Sequence, residues 1–133
     1  MEWVTLMKAL NAGTEGIQRG IGAIAKITSE RDEPTEGQHC KGMEGLVEEA
    51  QVHAIKDSFG KEATRDALII TQYQWLIDYA ITGYGCLAAF AERLDLDSDM
   101  IELKACLDAS HDGDRTMTAL ATGGINREAL VWF

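Results

Sequence analysis

The chain has 133 residues, the size of one domain, with 46% hydrophobic and 26% charged residues. That balance is enough to bury a core, it excludes disorder and collagen, and no apolar run reaches the length of a membrane span. Twenty-two acidic residues against twelve basic ones leave a net charge of −10, which repels phosphate backbones and anionic lipid, so neither nucleic acid nor membrane is an expected partner.

A single proline among 133 residues predicts long uninterrupted helices. The first runs from Trp3 to Thr28, with Trp3, Met7, Leu10, Thr14, Ile17, Ile21 and Ile24 at alternating spacings of four and three, a heptad-like stripe. Gly13, Gly16, Gly20 and Gly22 each lower its propensity by roughly 1 kcal/mol relative to alanine. Close approach of a second helix across Gly13, Gly16 and Gly20 would compensate. The stretch SERDEPTEGQH, with Pro34 and Gly37, ends this helix in an exposed loop.

A shorter amphipathic helix follows over Lys41 to Ser58, with Met43, Leu46, Val47, Ala50 and Ala54 inward and Phe59-Gly60 closing it. The third helix, Glu62 to Leu94, carries Ala67, Ile70, Gln74, Ile77, Ile81, Tyr84, Ala88 and Ala91 on one face, widened by Leu76, Leu87 and Phe90. A turn over Leu94 to Asp99 leads into the last helix, Asp99 to Ala121, with Asp97 or Ser98 placed to cap it and Gly123-Gly124 to stop it. A terminal turn ends in Val131, Trp132 and Phe133. No segment reads as a strand. Short connections between long amphipathic helices predict a single all-α domain, an antiparallel bundle of three long helices and one short connecting helix.

Cys40, Cys86 and Cys106 are odd in number and lack CxxC spacing, and Glu2 with no basic segment before an apolar one is unlike a signal peptide, so a reduced, cytoplasmic location is expected. Asp95, Asp97 and Asp99 match the first ligands of a calcium loop, but Met100 stands where the sharp turn needs glycine and Cys106 where the bidentate glutamate belongs; a capped turn is the better reading. Cys40 opens a helix, a place that lowers a thiol pKa, yet no base is identified nearby and a structural cysteine is the expectation. Cys86 and Cys106 lie at comparable heights on adjacent helices, where burial is expected. His39 and His53 have no evident partner.

Polar residues interrupt the stripes at one level: Thr14, Gln74, Ser110 and Asp114. Antiparallel pairing of the last two helices puts Asp78 near the level of Asp114, with His111 about one turn nearer the loop. Facing helices with polar groups at one layer can hold a metal, whereas threonine, serine and glutamine in a helical core are ordinarily satisfied by carbonyls or water. The latter is the expectation here.

Several segments together resemble one family. They are Cys40 to Ala50 (CKGMEGLVEEA), Arg65 to Ile70 (RDALII), Tyr79 to Gly85 (YAITGYG), Leu107-Asp108 and Gly124 to Asn126 (GIN), with Thr14 to Gly16 (TEG) before them. In that order they are similar to the YciE/YciF-type, stress-associated branch of the ferritin-like superfamily, over residues 10–128. The resemblance implies a four-helix bundle with a carboxylate-bridged di-metal centre, iron or manganese, and a first helix that this chain lacks or retains only in its first residues. It also implies acidic residues before Thr14, where Ala12 and Gly13 stand; a Glu-His-Tyr-Glu run where Ile77, Asp78, Tyr79 and Ala80 stand; and two glutamates after Asp108, where Ala109 and Ser110 stand.

The family's ligands are thus replaced on every helix. Asp78, with His111, Asp114 or Asp108, is the weak substitute metal set, and an Asp78–His111 pair is the plainer alternative. No cofactor is expected, and the leading reading is a non-catalytic structural or assembly protein. A missing helix leaves an apolar face for self-association, with Trp3, Met7, Gly13, Gly16, Gly20, Trp75, Trp132 and Phe133 as interface candidates. A divergent di-iron or di-manganese protein handling oxygen or peroxide is the alternative; a heterologous protein partner supplying a helix is another.

Overall fold

A computed structural model describes residues 2–56 and 62–125. Four helices follow one another: α1 (Glu2–Ser29), α2 (Lys41–Ala50) continuing as a wider π turn (Gln51–Lys56), α3 (Glu62–Arg93), and α4 (Asp97–Leu120) continuing as a second π turn (Ala121–Ile125). No strand occurs among the described residues. The architecture is the all-α helix bundle expected, three long helices and one short. No described helix is long and apolar enough to cross a membrane.

Two of the connections are made by aspartates in left-handed backbone. At the end of α1, Asp32 has φ 53° and Glu33 N–H donates to the Thr28 carbonyl; at the end of α3, Asp95 has φ 57° and Leu96 N–H donates to the Ala91 carbonyl. Both are Schellman closures, and aspartate tolerates the left-handed position better than most residues. The first helix therefore stops before Pro34 and Gly37 act. The expected capping of α4 by Asp97 or Ser98 is not formed: Leu96 is the cap residue with no side-chain bond, while Asp97 and Asp99 lie in the first helical turn, where the helix dipole favours them.

The α3–α4 hairpin is antiparallel, with Ile70 against Met117 near one end and Ala88 and Ala91 against Leu103 near the other. α1 lies antiparallel to α4: its start brings Leu6 to Met117 and Ala121, and its end pairs Lys26 with Glu102 and Arg31 with buried Asp99. The apolar core is split into two clusters. Leu6, Ile70, Met117, Ala121 and Ile125 fill one end, and Ala88, Ala91 and Leu103, flanked by Ile24, Ile27 and Tyr84, fill the other.

The buried face of α1 differs from the bulky stripe that the spacing suggests. Leu6 is its most buried side chain, while Trp3, Met7, Ile17 and Ile21 are more than a third exposed and Thr14 is on the surface. The face turned inward runs through Gly13 and Gly20, because tyrosines of α3 fill the space there. On α3 the predicted inner face holds, but Leu87 and Phe90 do not widen it. They lie outward with Leu94 at 46%, 65% and 66% exposure, respectively.

α2 explains that exposure. Its first turn sits beside Tyr79, where Gly42 lets the phenol approach and Cys40 contacts its hydroxyl at 3.1 Å. From there α2 and its π turn pack along α3, while Leu87 and Phe90 of its later half, and Leu94 just after it, are not covered by any of the described residues. Of the inward set expected on α2, Met43, Leu46 and Ala50 are half-buried and Val47 is exposed. The end expected at Ser58, with Phe59 and Gly60, lies outside the described residues, as does the side chain of Ala54.

Candidate functional site

Between the two core clusters lies a cleft of about 670 Å³ to which all four helices contribute. α3 shapes it. Tyr73 and Tyr84 are eleven residues apart, about three helical turns, and so project from one face. Tyr73 reaches across to Gly13 and Tyr84 to Gly20, so closely that a Cβ at either glycine would collide with the phenol hydroxyl. The rings are half-buried, and burial raises both hydroxyl pKa values above the ordinary 10.0. Cys106 lines the same cleft, its own thiol pKa raised by burial and then by the charge of Glu102.

All six positions at which the resemblance implies metal ligands line this one cleft. Ala12 and Gly13 come from α1, Ile77 and Ala80 from α3, Ala109 and Ser110 from α4. None carries a carboxylate or an imidazole. The one carboxylate of the lining, Asp112, is 2.7 Å from the Arg115 guanidinium and largely exposed. A di-metal centre needs several anionic ligands around two divalent charges, and these residues do not fit it.

The substitute set is dispersed. Asp78 and Asp108 are exposed, His111 is half-buried, and Asp114 accepts from Gln74 Nε2 at 3.1 Å. None of the four lines the cleft, and among the described residues no three histidine, cysteine or acidic side chains form a metal-holding group. The Asp78–His111 pair is absent among the described residues as well.

The polar residues are satisfied within the chain, Thr14 on the surface and Gln74, Ser110 and Asp114 half-buried. Thr14 donates to its own Leu10 carbonyl at 3.0 Å and Ser110 to the Cys106 carbonyl at 2.9 Å, each within one turn. Gln74 and Asp114 do meet, and Gln74 also reaches Thr118 at 2.8 Å, tying α3 to α4.

Of the interface candidates, Gly13 and Gly20 admit the hydroxyls of Tyr73 and Tyr84 within the chain. Gly16 lines the cleft with only Arg19 near it. Trp3 is partly exposed with the Arg65 guanidinium 4.8 Å from its ring, a cation–π contact; Met7 and Trp75 are exposed; Trp132 and Phe133 lie outside the described residues.

Smaller corrections follow the same logic. Cys86 is exposed, because it lies on the outer side of α3. His39 and His53 have partners in Glu44 and Glu49, side chains of the same short helix that sequence spacing did not single out. Cys40 caps α2, accepting from Met43 N–H at 3.4 Å; the Tyr79 hydroxyl and that N–H hold its thiol below the ordinary pKa.

Helices framing a central cleft, with the positions at which the resemblance implies ligands on facing sides, are consistent with the ferritin-like superfamily. The chain belongs to the family described as Domain of unknown function (DUF892), whose model matches residues 2–130. It is 33% identical over 125 residues to Protein YciF of Escherichia coli (strain K12), covering 93% of this chain and 74% of that protein. The resemblance to a YciF-type family is thus established. No solved structure matches the chain.

Proposed function

We propose that this chain is a non-catalytic structural protein of the YciF type, cytoplasmic and stress-associated, that assembles with copies of itself. The observation that carries the non-catalytic part is the convergence of Ala12, Gly13, Ile77, Ala80, Ala109 and Ser110 on one cleft that lacks ligating side chains where the family resemblance implies them. Losing one ligand weakens a metal site, whereas losing them on three helices removes the charge that would hold two divalent ions.

Assembly is supported by the later half of α3, whose apolar side chains are exposed among the described residues. Leu87, Phe90 and Leu94 fall at i, i+3 and i+7, a single apolar stripe on a helix that α2 is too short to cover. A second copy would bury that stripe against its own. Copies of a protein with net charge −10 repel one another through solvent, so the contact has to be apolar and local, as this stripe is.

Metal content and native mass, measured together on protein purified without chelator, test the reading. The expected result is a dimer or larger species with no stoichiometric iron or manganese, and a shift to monomer in Phe90→Glu. About two metal ions per chain, the load of a family-type site, lost on Asp78→Ala, would overturn it. So would a stable compact monomer at micromolar concentration.

A further inference from the structure

The cleft has the dimensions and lining of a ligand site in its own right. At about 670 Å³ it falls within the roughly 300–1,000 Å³ range of small-molecule pockets, which are mainly apolar with a few placed polar groups. Its walls include Ile17, Ile21, Met43, Leu76 and Ile77, and the small side chains of Ala12, Ala80 and Ala109 stand at ligand-equivalent positions of the lining.

Its charge is equally specific. Arg19 lines the cleft and folds back over Gly16, its Nη2 within 3.7 Å of where a Cβ would stand. Among the described residues no hydrogen bond or ion pair engages this guanidinium, whereas Asp112, the other charged group of the lining, is held by Arg115. The Tyr73 hydroxyl, half-buried on the inner wall, has no hydrogen-bond partner among the described residues either.

We propose that the cleft binds a free medium- or long-chain carboxylate, its alkyl chain along the apolar walls and its carboxylate on Arg19. The guanidinium fork matches a carboxylate in two parallel hydrogen bonds. The net charge of −10 repels small free anions, so an anion is retained only when a long apolar tail is buried with it. A cationic amphiphile would meet Arg19 as a like charge.

The test is calorimetric titration of the full chain with octanoate, decanoate and dodecanoate, each below its micelle concentration, beside decanol and decyltrimethylammonium. Affinity should rise about two- to fourfold per methylene at near one ligand per chain, and decanol should bind about tenfold more weakly than decanoate. Arg19→Met should abolish that preference while leaving the fold unchanged by circular dichroism. The double variant Ala80→Leu/Ala109→Leu, which fills the cleft, should weaken decanoate at least tenfold. No dependence on chain length, equal binding by the cation, or undiminished binding by a folded double variant would each overturn the proposal. So would a second copy as occupant, seen as a dimer that the double variant dissociates and decanoate does not enter. Phe90→Glu separates this site from assembly, because it should dissociate the oligomer and leave decanoate binding unchanged.

Discussion

Four glycines of α1 offer a controlled experiment in packing. Gly→Ala in a helix gains about 1 kcal/mol from propensity when the methyl meets nothing. Among the described residues, Gly22 has no foreign atom within 4 Å of the added Cβ and Gly16 only Arg19 at 3.7 Å, so both substitutions should stabilise. At Gly13 the methyl would strike the Tyr73 hydroxyl and lie 2.8 Å from its ring carbon; at Gly20 it would strike the Tyr84 hydroxyl, with the ring carbon at 3.4 Å. Overpacking of this kind costs about 1–3 kcal/mol, so Gly13→Ala and Gly20→Ala should be neutral to about 2 kcal/mol destabilising once the propensity gain of about 1 kcal/mol is subtracted. Pairing each with removal of the opposing hydroxyl sharpens the test. Tyr84→Phe removes the colliding atom and leaves an ordinary contact, so it should rescue Gly20→Ala. Tyr73→Phe leaves a ring carbon still too close and should rescue Gly13→Ala only in part. Urea midpoints at constant m-value measure all of these. If Gly13→Ala and Gly20→Ala gained as much as Gly22→Ala, the phenols would not stand against α1, and the cleft they frame would not exist in this form.

Other outcomes follow from individual contacts. Arg31→Met should cost about 1–3 kcal/mol by stranding Asp99, which is 6% exposed, whereas Asp99→Asn should cost less because the more exposed Arg31 can turn to water; thermal melts compare them. Cys40 should react with iodoacetamide faster than Cys106 near neutral pH, and its reactivity profile should move to higher pH in Tyr79→Phe, since the phenol is the largest cause of its lowered pKa. Lys26, Tyr73 and Tyr84 all have raised pKa values in the folded chain. Their stabilisation is complete below the unfolded values of 10.0 and 10.5 and is lost as pH climbs through the folded ones. The melting temperature should therefore fall above about pH 10, and less steeply in Lys26→Met.

What could be read from the sequence depended on whether the signal was local. The α3–α4 hairpin turning near Leu96 follows from two apolar periodicities separated by a short polar turn, and its ends fall within two residues of expectation. The linear order of short motifs was enough for the family. The inner face of α1 was not legible, because a periodicity search weights bulky side chains and a glycine facing a tyrosine contributes nothing to it. Tyr73 was missed for the complementary reason: its partner is sixty residues earlier in the chain. Leu87 and Phe90 read as core by spacing alone, since what leaves them bare is the shortness of α2, a property of a different segment. The buried Asp66 and Gln72 are likewise tertiary outcomes that residue type argues against. The cleft joined both kinds of information: the resemblance supplied six positions, and only the packing put them together.

That cleft raises the question of why small residues at its centre have not let the bundle collapse. α1 is a 28-residue helix, a beam about 40 Å long, held at both ends: by Leu6 in one apolar cluster, and by Ile24, Ile27, Lys26–Glu102 and Arg31–Asp99 at the other. Tyr73 and Tyr84 act between these ends as struts against Gly13 and Gly20. The gap is then a property of the frame rather than of the residues lining it, and adding volume to the lining should be inexpensive. Ala109→Leu projects into open space from an exposed position, and leucine has nearly the helix propensity of alanine, so stability should change by less than about 0.5 kcal/mol. A collapsed centre would instead make the same substitution an overpacking, costing about 1–3 kcal/mol. Urea unfolding of Ala109→Leu beside Gly13→Ala decides between them. A framed cleft predicts that the larger added side chain is the better tolerated, and the reverse order would refute the frame.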